Sequence, residues 1–181
     1  MTPFRSPKSS GFRTPIAVFA VLVVVFSVTS VAAAAPPTRQ SSGPPPDPFI
    51  LTDTLGNNPC SFPVLLDITT NKEVVTTFTR VSGVTTIHTT GALKVTLTNT
   101  ATDRSIARNI SGPILSTVNS DGSLTQIGLG PSLWVFDPGV APELPRLVIT
   151  NGRSESVLGP GNAFSFLSLR GNYEDICSAL A

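Results

Sequence analysis

Apolar and polar residues alternate along much of this chain, and the alternation has a period of two rather than 3.6. Over residues 92–98, Leu93, Val95 and Leu97 fall on one face while Lys94, Thr96 and Thr98 fall on the other, the pattern of a half-buried strand. Val64-Leu65-Leu66-Asp67-Ile68 leads to a turn expected at Asn71-Lys72, with residues 73–80 returning. Residues 84–90 follow Ser82-Gly83, and Gly91 is read as a break before the next strand. Residues 105–111 put Ile106 and Ile110 on a common face, and Pro113 starts a further run through Val118. Asn119-Ser120-Asp121-Gly122 is a strong hairpin signal, because Asp-Gly supplies the positive φ that such turns require. Residues 123–129 and 133–136 form the next pair, and a proline-rich loop over residues 137–145 precedes residues 146–150. Turns are expected at Asn151-Gly152 and Gly159-Pro160-Gly161-Asn162, and residues 163–169 form the last clear strand. Residues 173–180 read as a short strand or a helical turn.

No stretch sustains helical periodicity. The pattern predicts an all-β domain: a single antiparallel meander of about eight to ten short strands forming a barrel or a sandwich.

Ahead of this domain, residues 16–35 run without a charge behind Arg5, Lys8 and Arg13. A basic start, an apolar core and a four-alanine exit make a secretory signal peptide over residues 1–34, cut before Ala35. The protein is therefore expected to be secreted. An uncleaved anchor is the alternative, and it is the only route by which membrane contact is expected. Residues 35–48 hold six prolines and are read as an extended linker to a domain over residues 49–181.

Removing the signal changes the charge. The full chain is formally +1, but residues 35–181 carry nine basic and eleven acidic residues. With no basic run in the sequence, nucleic acid is not an expected partner. About 130 residues suffice for one core. Cys60 and Cys177 bracket almost all of them, and in an oxidising compartment such a pair reads as a disulfide closing the N-terminal end of the domain onto its C-terminal end. That bridge is nominally worth about 4–5 kcal/mol.

Catalytic signatures are sparse. His88 is the single histidine, two distant cysteines make no zinc site, and there is no nucleophile elbow or phosphate-binding loop. No catalytic residue, metal site or cofactor is assigned. His88 sits mid-strand between threonines and is read as a half-exposed strand residue rather than a general base. If Leu133 and Val135 face the core, Trp134 and Phe136 face the other side, where an aromatic pair can bind a sugar or a lipid. If both sheet faces are covered there, Trp134 is core instead, and that is the reading preferred. Asp121 is assigned to its turn rather than to calcium. Asn109-Ile110-Ser111 matches a glycosylation acceptor.

Several segments are similar to a group of small secreted actinobacterial proteins with no assigned activity. They are Cys60-Ser61-Phe62-Pro63-Val64, residues 90–99, Asn109-Ile110-Ser111-Gly112-Pro113, the Asp121-Gly122 turn and Asp175-Ile176-Cys177. The resemblance implies no catalytic residues. The role expected from the whole reading is a non-enzymatic secreted domain that binds a small apolar ligand or an envelope component. In a barrel with a cavity, Leu93, Val95, Leu97, Ile106, Ile110 and Phe164 are the expected walls. The alternatives are a surface structural or adhesive module, and a barrel enzyme of the cyclase or isomerase kind in which His88 or a carboxylate meets Tyr173 or an arginine.

Overall fold

Two long hairpins organise the chain. The computed structural model describes residues 35–80, 83–160 and 163–181. The signal segment expected over residues 1–34, and parts of the turns expected around Ser82 and Asn162, lie outside the described residues. The first hairpin joins β3 (Val64–Thr79) to β4 (Thr85–Asn99), and the second joins β9 (Leu147–Leu158) to β10 (Phe164–Asp175). Between them come β5 (Ser105–Asn109), β6 (Ile114–Val118), β7 (Leu124–Leu129) and β8 (Ser132–Val135). β1 (Thr38–Ser41) and β2 (Phe49–Ile50) precede them, and the helical turn α1 (Ile176–Leu180) closes the chain. The expected linker is thus not all spacer: β1 adds to the edge of β3 by pairing Thr38 with Thr77 through to Ser41 with Val74.

All ten strands belong to one open antiparallel sheet, ordered β1-β3-β4-β6-β7-β9-β10, with β2 on β3, β5 on β4 and β8 on β9. This departs from a simple meander at two places. β4 pairs with β6 over Thr85–Thr89 and with β5 over Lys94–Thr98 along the same edge. β9 pairs with β7 over residues 153–158 and with β8 over residues 147–150. The sheet is continuous at one end and forks at the other. One prong holds β2, β5 and the adjoining halves of β3 and β4; the second holds β8 and the adjoining halves of β9 and β10.

Glycine marks each change of partner. Gly91 (φ +133) lies opposite Glu73, and a Cβ there would sit 2.3 Å from the Lys72 carbonyl oxygen. Gly152 (φ +134) lies opposite Gly171 (φ +153), and Cβ atoms on them would sit 2.3 Å from the Arg170 oxygen and 2.1 Å from the Asn151 oxygen. These are close backbone approaches inside continuous strands, which only glycine permits. The breaks expected at Asn71-Lys72, Gly91 and Asn151-Gly152 are therefore bends, and the short strands on either side of each are single long ones. The Asn119–Ser123 turn forms as expected, with Gly122 at φ +82 and the Asn119 N–H donating to the Ser123 carbonyl at 2.8 Å.

The two prongs share the main core. Val64, Leu66, Ile68, Val95 and Leu97 from the first meet Leu147 and Ile149 from the second, with Ile176 and Leu180 of α1 closing the end. Each fully buried aliphatic side chain contributes about 1.5–3 kcal/mol. Asp175 caps α1 by accepting the Ser178 N–H at 3.2 Å. The helix carries Cys177 to Cys60, and the expected disulfide is present, joining residues 117 apart.

Two stability outcomes are expected in urea unfolding. Cys60→Ser with Cys177→Ser costs about 2–5 kcal/mol, because the denatured chain regains the closed loop's freedom. Gly152→Ala costs more than the roughly 1–3 kcal/mol of its backbone conformation alone, since its Cβ meets backbone, whereas Gly139→Ala, with open space around it, costs no more than that conformational penalty.

Candidate functional site

The aromatic candidates sit in a second core. Phe136 is 1% exposed. It stacks on Trp134 with ring centres 6.1 Å apart, and Phe166 lies edge-on to both at 5.0 and 5.5 Å. The Trp134 indole N–H donates to Thr150 Oγ1 at 3.1 Å, so the polar end of the ring is satisfied inside the protein. The proline-rich loop covers this cluster with Val140, Ala141 and Leu144. Both sheet faces are covered here, and Trp134 and Phe136 pack as core.

A buried ion pair pins that loop. The Arg146 guanidinium donates to Asp53 Oδ2 at 2.6 Å and to the Phe136 and Asn58 carbonyls, each at 3.3 Å. Asp53 Oδ1 also accepts the N–H groups of Leu55 and Asn57 at 2.9 and 2.8 Å. Burial pushes the Asp53 carboxyl up, but these hydrogen bonds, with the charge of Arg146, outweigh it and hold the group below its ordinary 3.8. Asp137 adds a second tie by accepting from the Thr54 N–H and hydroxyl at 2.9 and 2.5 Å.

The residues expected to wall a ligand cavity are dispersed. Val95 and Leu97 are fully buried within the main core, and Leu93, Ile106 and Ile110 pack against it. Phe164 belongs to the aromatic cluster instead. Asp121 serves its turn, accepting the Ser123 N–H and hydroxyl at 2.9 and 2.6 Å. Those bonds hold its carboxyl below the usual range.

The mouth of the fork forms a cleft of about 280 Å³ lined by Arg108, Asn109, Asn151, Asn172, Tyr173 and Glu174. Here a carboxylate, an arginine and Tyr173 come together, the set that the enzyme alternative asks for. The carboxylate is already engaged: Arg108 donates to both Glu174 oxygens, Nε at 2.8 Å and Nη2 at 2.5 Å. That bidentate pair holds Glu174 below its ordinary range and raises Arg108. It bridges the prongs as an ion pair and leaves Glu174 no proton to donate at neutral pH.

The remaining feature appears only after the strands are placed in register. Successive side chains of a strand point to opposite faces, so pairing sorts the outer face of the continuous sheet residue by residue. One row across it reads Arg39, Thr76, His88, Leu115, Ile127, Glu155 and Ser168. The next reads Phe78, Thr86, Thr117, Thr125, Val157 and Ser165. The centre is apolar: Leu115, Ile127 and Val157 are half-buried and belong to neither core, and Phe78 is 37% exposed with its ring 4.9 Å from that of His88. Basic residues flank it, with Arg39, Arg80, Arg153 and Arg170 on the same face of the continuous sheet. Arg153 and Arg170 lie directly opposite each other, a like-charge juxtaposition that destabilises an isolated sheet. Glu155 offsets one of them at 3.6 Å. Four basic residues thus share this face of the continuous sheet with one acidic residue, and beyond the bends the same alternation continues into Lys72, Lys94, Asp67 and Glu174. Five basic and ten acidic residues of the region 35–181 lie elsewhere.

His88 is exposed within this face, beside a shallow depression lined by Ala35, Phe78, Thr79, Arg80 and Thr86. It lies mid-strand and is exposed, where a half-exposed position was expected. The basic residues around it are the part the sequence reading missed. Their spacing shows no run, and only pairing across seven strands brings them together. No protein-family model, curated protein or solved structure matches the chain.

The loop lock sets an acid limit. A carboxyl held below its unfolded value contributes stability above the ordinary carboxylate range and loses it as pH falls through the lowered value. Unfolding followed by tryptophan fluorescence, which reads Trp134 directly, is expected to show stability falling below about pH 4. Asp53→Asn is expected to cost about 1–3 kcal/mol at neutral pH by replacing the charge-assisted hydrogen bonds with neutral ones and to flatten that acid dependence.

Proposed function

We propose that the protein is an exported, non-enzymatic β-domain that binds an acidic component of the cell envelope through the outer face of its continuous sheet. The observation that carries this reading is the charge segregation: a molecule whose described region is net acidic gathers four cations around a half-buried apolar centre that belongs to neither core. Large apolar patches with a polar rim mark interaction sites on soluble proteins, and a single-sign field steers association with an oppositely charged partner.

Three further points support the reading. The uncharged segment over residues 16–35 and the Cys60–Cys177 bridge are both compatible with export. In the cleft at the mouth of the fork the carboxylate of Glu174 is already paired with Arg108. Among the described residues no helix is long and apolar enough to cross a membrane. We take the forked end as a short sandwich whose prongs and disulfide hold the binding sheet rigid.

Envelope pull-down tests the assignment. The oxidised full chain is expected to sediment with an envelope fraction at low salt and to be released as ionic strength rises. Arg153→Gln with Arg170→Gln is expected to weaken that sedimentation, while Arg104→Gln, off the face, leaves it unchanged. Equal binding by all three proteins would refute the assignment.

A further inference from the structure

We infer that the acidic component is an anionic phospholipid bilayer, and that the outer face of the continuous sheet is the surface that meets it. This rests on the proposed binding face and names what the face binds. Charge alone suits any polyanion, so the choice turns on the centre of the face. Leu115, Ile127 and Val157 form an apolar island on this face, together with Leu129, which is 45% exposed and pairs with Arg153, while Phe78 stands beyond His88 and Thr117 on the β3 side. A nucleic acid or an acidic polysaccharide meets a basic face with charge and hydroxyl groups and leaves such an island exposed to water. A bilayer takes cations at its headgroups and apolar side chains just beneath them.

The path of the chain points the same way. Ala35 lines the same shallow depression on this face as Phe78 and His88, and the uncharged run from Ile16 ends at Ala35 in the sequence. The opposed Arg153 and Arg170 gain a purpose in this orientation, because a phosphodiester between two guanidiniums turns their mutual repulsion into shared attraction.

Vesicle sedimentation of the oxidised full chain tests the inference. Binding to equimolar phosphatidylglycerol and phosphatidylcholine vesicles is expected to exceed binding to pure phosphatidylcholine and to fall steeply with salt. An inserted 16–35 segment contributes identically to wild type and variants, so the differences between proteins isolate the face. Each cation removed is expected to weaken phosphatidylglycerol binding by about fivefold, and Arg153→Gln with Arg170→Gln by more than tenfold. Arg153→Lys with Arg170→Lys should retain most of it. Phe78→Ser should weaken it without altering the salt slope, with circular dichroism confirming the fold. Unchanged phosphatidylglycerol binding by the double glutamine variant overturns the inference. So does envelope binding that survives lipid extraction yet is lost in that variant, an outcome that leaves the envelope-binding reading standing. Envelope binding indifferent to the variant removes both.

Discussion

β4 and β9 each carry two different neighbours along a single edge, and the rest of the architecture follows from that constraint. A strand can change partners part-way only if the sheet divides there, and a divided sheet needs its backbone to bend at the division. Gly91 on one side and the Gly152–Gly171 pair on the other supply the bends, in positions where any Cβ would strike a carbonyl of the paired strand. The division produces two prongs with facing apolar sides, and those sides make the main core. Without the partner switch this would be one flat ladder with nothing to bury against.

The fork is held shut by unlike means at different points. Cys60–Cys177 acts mainly on the denatured chain, removing the freedom of a long loop. The Arg108–Glu174 pair acts on the native state, spanning from β5 to β10 at the cleft. Asp53–Arg146 is the more deeply buried pair, with no exposed surface on the Asp53 side chain, and it fastens the proline-rich loop over Phe136 and Trp134. Its geometry is satisfied on both partners, which is the condition under which a buried pair is worth keeping. Both ends of the folded region therefore converge on the forked end, and the continuous sheet projects from it.

Much of this was legible in residue order, and the failures share one cause. The strands around Leu93, Val95 and Leu97, the Asn119–Ser123 turn and the disulfide follow from alternation, turn chemistry and cysteine count. Gly91 and Asn151-Gly152 were legible as positions of unusual backbone but not as bends inside strands, because the same residue types serve a chain reversal and a close approach. The distinction lies in what the opposite strand does, and that is a non-local fact. β1 escaped for a related reason. Proline on both sides of Thr38–Ser41 reads as spacer, yet four residues between prolines are enough for an edge pairing whose side chains are all exposed.

The basic face is the clearest case of information carried by register alone. Arg39, Arg80, Arg153 and Arg170 are spread over most of the domain and are interspersed with acidic residues, so no window of sequence is notably positive. A one-residue slip in β9 would turn Arg153 to the inner face in place of Ser154 and bury a charge. The inner side excludes that slip, since Ser154 and Ser156 are almost fully buried there, at 2% and 0% exposure. The small buried serines thus fix which residues of β9 face outward, and the partner register with β10 then sets Arg170 opposite Arg153. An arrangement that places like charges together is held in place by packing on the other side of the sheet.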